Sequence, residues 1–581
     1  MVSDTAASDE AAHVVSLQKE LAETRSLVKK LTDRIARNEN YDTIYAASCF
    51  ASHSHDFNKI PEKGMPAKHV ATVIEDVHLC DFNPLLNTSS YVNVTSEAEE
   101  RKVAAMGAQI NIADASVYPA TIDLHDRVVN MIANLWHAPE PANGGNFAGA
   151  GTVGSTEGCL LAGLALKFRW REWYMKKHGL TSQQVLGVRP NLVISSIYQA
   201  AWEKFFRFFD VEAKVVKPNL VHDKLAANAH DLVSLCDEKT IAVVGILGNH
   251  YNGMYDPIWE IDREIEVLNA QKGWQIGIHV DGASGGFIAP FQEMSGNPTA
   301  GHFDFRLPNV LTMSGSGHKF GESICGTGWV VFRQREGLAS HVATTVTYLG
   351  GSSDSLTLNF SRPASGPYVQ FYKLMRLGTE GYMNKVENQM GVASYLRHFI
   401  ASLKHPSGKP RFQMLDGGDS CCLLVVAARL NPELGLHYDD IDFQHALSES
   451  HWYVSGYSLG FENPMNERFE NLCSDANEAT TMFRIVVKSN LTQSLAENLA
   501  EKIENIVTIL DDMDGGYESI HSKLNDLAIG AEDDIPIEEL REFSGSIGDL
   551  PTRSLNKSQF IQQSFRKKKQ QRTSIIAQNI C

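Results

Sequence analysis

The chain has 581 residues, a formal net charge of −17 and an isoelectric point near 5.7. This length exceeds one ordinary hydrophobic core and predicts a large domain with smaller flanking parts, while the acidic balance argues against a nucleic-acid partner. No apolar run reaches the roughly 18 residues of a membrane span, Met1–Glu10 has no signal-peptide pattern, and the nine cysteines lack metal-ligand spacing, so we expect a cytoplasmic protein with reduced thiols and no membrane partner or metal.

The N-terminal segment, residues 1–60, contains apolar residues at alternating steps of three and four: Leu17, Leu21, Val28, Leu31 and Ile35. The pattern predicts either a short coiled coil between Val14 and Ala36 or one amphipathic helix lying on the body. Prolines stand among short polar runs between residues 45 and 100, where we expect irregular structure. Residues 61–121 form the next predicted segment.

Apolar stretches of strand length alternate with helical stretches from Ile122 to about Arg335. The predicted strands are Leu192–Ile197, Ala213–Val216, Ile241–Leu247, Ile276–Val280, Val310–Met313 and Trp329–Phe332. Such alternation is typical of βαβ units and predicts an α/β domain with a mainly parallel sheet over residues 122–365.

A smaller α+β domain is expected over residues 366–514. Its predicted elements are a long helix at Val369–Leu403, strands at Cys422–Ala427, Trp452–Ser455 and Met482–Val487, and a final helix at Leu491–Met513. The tail, residues 515–581, carries an acidic stretch followed by a basic run and is expected to be partly flexible.

Lys319 is the most informative residue in the chain. The apolar stretch ending at Met313 leads into it, and glycines at 315, 317 and 321 surround it, so its backbone can approach a ligand closely. Burial lowers the pKa of a lysine amine, and a neutral amine can form a Schiff base.

Asp281 stands where a second predicted strand ends. The apolar alternation through Ile276, Ile278 and Val280 stops at this aspartate, which small residues follow. In open α/β sheets ligands bind at the carboxyl ends of strands, and a buried carboxylate needs a positive partner. The ring nitrogen of pyridoxal phosphate is such a partner.

A third segment, residues 151–158, reads Gly-Thr-Val-Gly-Ser-Thr-Glu-Gly and opens an apolar helix. Free N–H groups, hydroxyl donors and the positive end of the helix dipole make such a turn an anion site. The spacing is neither a dinucleotide fingerprint nor a Walker loop, and it suits a single phosphate. Together the three segments supply a phosphate cradle, a carboxylate for a pyridine nitrogen and an amine for an aldehyde.

These segments belong to a longer set through which the chain resembles the group II pyridoxal-phosphate-dependent decarboxylase family. The matching blocks are residues 134–139, 151–158, 191–193, 208–212, 279–291, 303–308, 316–321, 348–351, 359–363 and 376–382. The resemblance spans roughly residues 60 to 510. It implies a fold-type-I homodimer with active sites at the subunit interface, pyridoxal 5'-phosphate as cofactor, and decarboxylation of an L-amino acid, with conversion of L-glutamate to 4-aminobutyrate as the first expectation.

The resemblance also assigns roles to single residues. Lys319 would carry the cofactor, Asp281 would keep its ring nitrogen protonated, and Tyr348 would lie on a loop that returns a proton to the substrate carbon. The other implied cofactor contacts are Ala283, Ser155, Thr156, Ser316, His318, Gln199, His250 and, from the partner subunit, Ser361. Arg484 would hold a substrate carboxylate, and Ser90, Tyr91 and Asp114 would line the substrate pocket.

The departures from the family pattern fall near the expected substrate pocket. The chain has Asn-Thr-Ser-Ser-Tyr at 87–91, Val117 before Tyr118, and His250 where a hydroxyl residue is usual. Three hypotheses therefore stay open: a glutamate decarboxylase, a decarboxylase of another amino acid, and a weakly active paralogue that acts as an oligomeric scaffold.

The basic run at residues 566–572 is flanked by apolar residues. It could bind an acidic partner such as calmodulin, cover the active site, or remain a solvated tail.

Overall fold

The computed structural model describes residues 19, 21–30, 59–61, 64–142, 144–297, 301–348, 351–418, 422–463 and 468–513. The chain divides into two units, residues 1–83 and 84–581. In the first unit, residues 21–30 are helical and α1 spans Ala67–His78, with every residue of α1 at least partly exposed. The remainder of the predicted coiled coil, and the whole tail from residue 515, lie outside the described residues.

The second unit contains a seven-stranded sheet with the order β1-β7-β6-β5-β4-β2-β3. The strands are β1 (Gly149–Val153), β2 (Asn191–Ser195), β3 (Glu212–Val216), β4 (Thr240–Ile246), β5 (Gly277–Gly282), β6 (Val310–Gly315) and β7 (Thr327–Phe332). Strands β3, β2, β4, β5 and β6 pair in parallel, and β7 pairs antiparallel with both β6 and β1. The predicted α/β class with a mainly parallel sheet is confirmed.

Both faces of this sheet are buried, and its strands are accompanied along the chain by helices. They are α2 (Ala98–Gly107), α3 (Pro119–Leu135), α4 (Gly154–His178), α5 (Ala200–Phe208), α6 (Ala229–Ser234), α7 (Ile258–Lys272) and α8 (Ala289–Met294). Alternate residues of one strand enter different cores: Val243 packs in one cluster, whereas Ala242 and Val244 pack in the other. A parallel sheet buried on both faces reads in sequence as a continuous apolar run, which is why its strands could be predicted.

A hairpin and a long helix follow the sheet. Strands β8 (Thr344–Tyr348) and β9 (Gly351–Ser355) pair antiparallel. The helix α9 (Ser365–Ser402) occupies the place of the predicted Val369–Leu403 helix, but Gly378 interrupts it with φ 58° and ψ −175°. The expectation of one continuous helix is therefore wrong, because glycine adopts a conformation there that other residues avoid.

The smaller sheet has the order β10-β11-β15-β12 and is antiparallel. Its strands are β10 (Phe412–Met414), β11 (Val425–Leu430), β12 (Ser455–Ser458) and β15 (Thr481–Val486), and the pair β13 (Gly460–Asn463) and β14 (Arg468–Asn471) lies apart from it. Helices α10 (Asp440–Ser448) and α11 (Gln493–Asp512) complete this part. No helix within the described ranges is long and apolar enough to cross a membrane.

Several elements differ from the sequence predictions in their bounds or in their kind. The strand expected at Cys422–Ala427 begins at Val425, because Leu423 is bonded instead through its N–H to the oxygen of Gly253. The strand expected at Trp452–Ser455 begins at Ser455. The irregular structure expected between residues 45 and 100 is wrong at α1, whose prolines lie before rather than within the helix.

Candidate active site

Lys319 follows β6 on a tight turn at the carboxyl edge of the large sheet. Lys319 is buried, with only 7% of its surface exposed. The Nζ atom lies 3.3 Å from the Oγ of Ser284, which follows β5, and 5.4 Å from the centroid of the Tyr91 ring. The neighbouring strand and the segment at residue 91 thus surround the amine, as the sequence predicted for a buried lysine.

Asp281 lies on β5, the strand next to β6, and pairs in register with Ser314. Its Oδ2 accepts a hydrogen bond of 2.9 Å from the indole Nε1 of Trp202, and its Oδ1 accepts one of 3.1 Å from the backbone N–H of Ala283. Within the described part of the chain no cationic side chain lies within 4 Å of this buried carboxylate. Its two donors orient it but leave its charge without a counter-ion, which is costly unless a cationic ligand binds.

The turn between β1 and α4 forms the third side of the site. Gly154 begins α4 with φ 67°, a conformation that favours glycine, and a Cβ added there would lie 3.5 Å from the His318 ring. Ser155 accepts a hydrogen bond of 2.8 Å from the Oγ of Ser316, which joins this turn to the lysine turn. Thr156 is the next residue and is half-buried. The first turn of a helix has N–H groups without partners inside the helix, and an anion can bind to them.

Two side chains at this site contain buried polar atoms with no partner among the described residues. The Nδ1 of His318 lies 2.8 Å from the oxygen of Thr327, to which it donates, and its Nε2 has no partner. Burial and the nearby Lys319 amine lower the pKa of His318 to about 4. Both amide atoms of Gln199, which precedes α5, are also unpaired.

The unpaired atoms of His318 and Gln199 show whether the site suits a pyridoxal phosphate cofactor, and their chemistry fits that group. A polar aromatic ring beside Gln199 would offer its amide hydrogen-bond partners, and an anion at the Gly154 turn would favour a proton on the Nε2 of His318. Asp281 offers the carboxylate that a pyridinium nitrogen needs. No group of three His, Cys, Asp or Glu side chains that could hold a metal ion occurs in the described ranges.

Arg484 lies on β15 and is 0% exposed. Its Nη1 donates to the oxygen of His250 and the hydroxyl of Tyr91, and its Nη2 donates to the oxygen of Ser89 and the Oγ of Ser455. Its Nε has no partner, and no carboxylate pairs with it, among the described residues. The guanidinium is therefore a buried positive charge with only neutral acceptors and one N–H still available.

His250 lies in an aromatic cluster around this guanidinium. Its Nε2 is 3.1 Å from the hydroxyl of Tyr457, and its ring centroid is 5.7 Å from that of Tyr91. Burial, helped by the charges of Arg484 and Lys319, holds the pKa of His250 well below its usual range, so the imidazole is neutral. Burial likewise raises the pKa of Tyr91 to about 12, and its hydroxyl donates to the oxygen of His250 at 3.1 Å.

Asp114, Ser361 and Ser90 bond to residues outside the Lys319 cluster in the described part of this chain. The Nδ2 of Asn111 lies 3.3 Å from both the Oδ1 of Asp114 and the Oγ of Ser361, and Ser361 is exposed. Ser90 is half-buried and its Oγ accepts the N–H of Val92. Tyr348 is the last residue of β8, opposite Gly351.

Several contributors were not predicted from the sequence. Trp202, Ser284, Tyr457 and Ser455 all bond directly to a predicted site residue. Of these, Trp202 had a usable signal in the sequence, because it lies on the first turn of α5, three residues after Gln199.

The sheet order, together with a buried aspartate on β5 and a buried lysine on the turn after the adjacent strand β6, defines a fold-type-I pyridoxal-phosphate enzyme. The family model described as the pyridoxal-dependent decarboxylase conserved domain matches residues 69–412. The chain belongs to the pyridoxal-dependent decarboxylase family, and pyridoxal 5'-phosphate is its cofactor.

Its relatives include a glutamate decarboxylase of Petunia hybrida, 34% identical over 455 residues, which are 78% of this chain and 83% of the relative. The glutamate decarboxylase beta of Listeria monocytogenes is 36% identical over 399 residues, covering 68% and 81% of the two chains. Among solved structures, the glutamate decarboxylase of Lactobacillus brevis has a TM-score of 0.69 at 32% identity, covering 80% of this chain and 97% of that one.

Proposed function

We propose that the protein decarboxylates L-glutamate, using pyridoxal 5'-phosphate, to give 4-aminobutyrate and carbon dioxide. The observation that carries the chemistry is the pair formed by the buried Lys319 amine and the buried Asp281 carboxylate, which stand at the carboxyl ends of adjacent strands. The glutamate decarboxylase relatives support the choice of substrate.

We propose the cofactor-binding residues from the groups around this pair and from the family resemblance. Lys319 would hold the aldehyde carbon, Asp281 the ring nitrogen, and Gln199 one face of the ring. The phosphate would lie on the α4 turn, where the available groups are Ser155, Thr156, Ser316 and His318. Ala283, half-buried beside Asp281, is proposed to pack beneath the ring. When bound, the cofactor supplies a conjugated system that accepts the electrons of the breaking carbon–carboxylate bond.

The protein groups contribute orientation and charge. Trp202 and the N–H of Ala283 hold Asp281 in one orientation, and its carboxylate would favour a proton on the ring nitrogen of the bound cofactor. The Nζ of Lys319, bonded to Ser284, can give up and take back a proton as the substrate amine arrives and the product amine leaves. We propose Tyr348, on the β8–β9 hairpin, as the donor of a proton to the substrate carbon.

The charge of the pocket favours an acidic substrate. Arg484 is a buried guanidinium without a carboxylate partner in the described residues, and burying such a charge is costly unless an anion compensates it. A substrate with a second carboxylate would supply that anion, either at the free Nε–H or by displacing a neutral acceptor. We propose that Ser90 and Tyr91 line this part of the pocket.

A second candidate function is decarboxylation of another amino acid. The observation that favours it is the occupation of both terminal nitrogens of Arg484 by groups of the chain itself, including the hydroxyl of Tyr91. When its terminal N–H groups are engaged in this way, the guanidinium can offer a substrate carboxylate only its Nε–H. The two candidates are separated by the substrate measurement given at the end of the Discussion.

The quaternary structure and the cellular location are also proposed. We propose a cytoplasmic homodimer in which Ser361 and Asp114 complete the partner subunit's site, since both residues lie apart from Lys319 in the described contacts of one chain. His250 is proposed to act on the cofactor only through the aromatic cluster. The basic run at residues 566–572, which could bind a calmodulin-like partner, lies outside the described ranges.

Replacing Lys319 tests the site assignment. We expect Lys319→Ala to lose the visible absorbance of the bound cofactor and all release of carbon dioxide from glutamate. Lys214→Ala is the control, because Lys214 lies on β3, three strands away from β5 in the sheet order, and pairs with Asp237 at 2.7 Å. A Lys319→Ala protein that kept both the absorbance and the activity would refute the assignment.

A further inference from the structure

The turn that carries Lys319 contains a strained residue. Glu322 has φ 64°, the left-handed region that a residue with a long side chain rarely occupies, and it is buried. Its N–H donates to the oxygen of Lys319 at 3.2 Å. Strain of this kind persists only where the surroundings enforce it, and it is concentrated at functional sites.

The Glu322 carboxylate belongs to a buried ionic cluster. Its Oε2 accepts from the Nζ of Lys385 on α9 at 2.8 Å and from the Oγ of Ser489 at 3.2 Å. Lys488, next to Ser489, is also buried, and its Nζ has no hydrogen-bond partner among the described residues. Burial lowers the pKa of Lys488 to about 8, and the charge of Glu322 opposes that shift. The single negative charge of Glu322 therefore compensates the positive charges of two lysines, Lys385 and Lys488.

Other side chains fasten the backbone of the same turn. Asn93 donates from its N–H to the oxygen of His318 and from its Nδ2 to the oxygen of Glu322, each at 2.9 Å. The amide of Gln370 and the hydroxyl of Tyr382 both donate to the oxygen of Gly321, at 3.0 and 2.9 Å. The turn is thus held on both sides of Lys319 by groups that do not touch the amine.

We propose that Glu322 is a positioning residue for Lys319, acting through its ion pair with Lys385 and its bond to Ser489, with Asn93 as the second anchor of the same turn. The charged anchor compensates the strain at Glu322 and fixes the direction in which the chain presents the amine. This inference rests on the proposed role of Lys319 and assigns a role to residues outside the contact shell of the cofactor.

The test compares Glu322→Gln with a matched loss of a buried ion pair. Glu100 and Lys373 form such a pair at 2.9 Å, also between a buried carboxylate and a lysine of α9, but neither bonds to the Lys319 turn. Glu100→Gln is therefore the control. Asn93→Ala is a second test variant, since it removes the side-chain bond to the oxygen of Glu322 without changing any charge.

Two readouts distinguish positioning from general stability. The first is the rate at which the apoprotein takes up pyridoxal phosphate, which we expect to fall by about fivefold or more in Glu322→Gln and Asn93→Ala, because misplacement of a reacting group slows its reaction steeply. The second is the pH midpoint of the visible absorbance of the loaded enzyme. We expect this midpoint to fall in Glu322→Gln, because removing an anion disfavours a protonated nitrogen nearby.

Glu100→Gln should lower the unfolding midpoint in urea while leaving the uptake rate and the pH midpoint unchanged. The inference is overturned if Glu322→Gln and Asn93→Ala behave like this control. If Glu322→Gln does not fold, the uptake rate of Asn93→Ala decides. A wrong assignment of Lys319 would be recognised separately. In that case Lys319→Ala would keep the visible absorbance of the bound cofactor, whatever the result with Glu322→Gln.

Discussion

Replacing Trp202 with phenylalanine tests whether Asp281 is held as a charged carboxylate. The substitution removes the indole N–H that lies 2.9 Å from the Oδ2 of Asp281 and leaves an aromatic ring in a fully buried position. Trp170→Phe is the matched control. Trp170 is also buried, and its Nε1 donates at 3.0 Å to a neutral acceptor, the oxygen of Glu238.

The expected magnitudes follow from these two bonds. Removing a donor from a charged group costs about 1.5–3 kcal/mol, and removing one from a neutral carbonyl costs about 1 kcal/mol. The smaller ring adds a cavity term of about 1 kcal/mol in both variants. We therefore expect the free energy of unfolding of the apoprotein to fall by about 3 kcal/mol in Trp202→Phe and by about 2 kcal/mol in Trp170→Phe.

The assay is urea unfolding of the apoproteins, extended to a double-mutant cycle with Asp281→Asn. We expect the Trp202 and Asp281 substitutions to be coupled by about 1 kcal/mol or more, because residues that share a hydrogen bond are not additive. Trp170→Phe should add to Asp281→Asn without coupling. A Trp202–Asp281 coupling near zero would show that the indole does not hold an ionised carboxylate and would refute the reasoning.

Three further outcomes are expected. Arg484→Lys should raise the KM for glutamate about tenfold or more with a smaller change in kcat, because lysine cannot reproduce a forked guanidinium. Steady-state release of carbon dioxide measures both constants, and an unchanged KM would contradict the proposed role. Tyr91→Phe should lower the KM for glutamate, because it frees one N–H of Arg484, and a raised KM would contradict this expectation. Burial acts to raise the pKa of Asp511, but hydrogen bonds from Arg411 and Tyr438 hold it below its usual value. That pairing stabilises the fold above about pH 3.9, and the stabilisation is lost as pH falls through the depressed pKa. Urea unfolding should therefore show that Asp511→Asn is less stable than the parent at pH 7, with the difference in unfolding free energy closing on acidification. A difference that is independent of pH would contradict the linkage.

The large sheet could be predicted because its strands are buried on both faces. Continuous apolar runs such as Ile241–Leu247 have few alternatives, and Asp281 and Lys319 stand where two such runs end. Parallel neighbours place those ends at one edge, so the pair that carries the chemistry was recognisable before any contact was known.

The surroundings of that pair could not be predicted in the same way. Trp202 and Tyr457 reach the site from elements far apart in the chain, and no local pattern encodes a contact across 79 or 207 residues. The break at Gly378 lies inside a stretch with helical spacing, and a lone glycine there is compatible with an unbroken helix. The β8–β9 hairpin has mostly small polar residues in its second strand, Gly351–Ser355, and so has no apolar alternation to mark it.

The most direct test of the proposed function is to supply the purified, cofactor-loaded protein with glutamate labelled at its α-carboxyl carbon, beside aspartate and a set of neutral and aromatic amino acids. We expect labelled carbon dioxide and 4-aminobutyrate to form in equal amounts from glutamate, with little or no release from the neutral amino acids. Release from a neutral or aromatic amino acid but not from glutamate, or release from none of them, would contradict a decarboxylase whose buried Arg484 selects an acidic substrate.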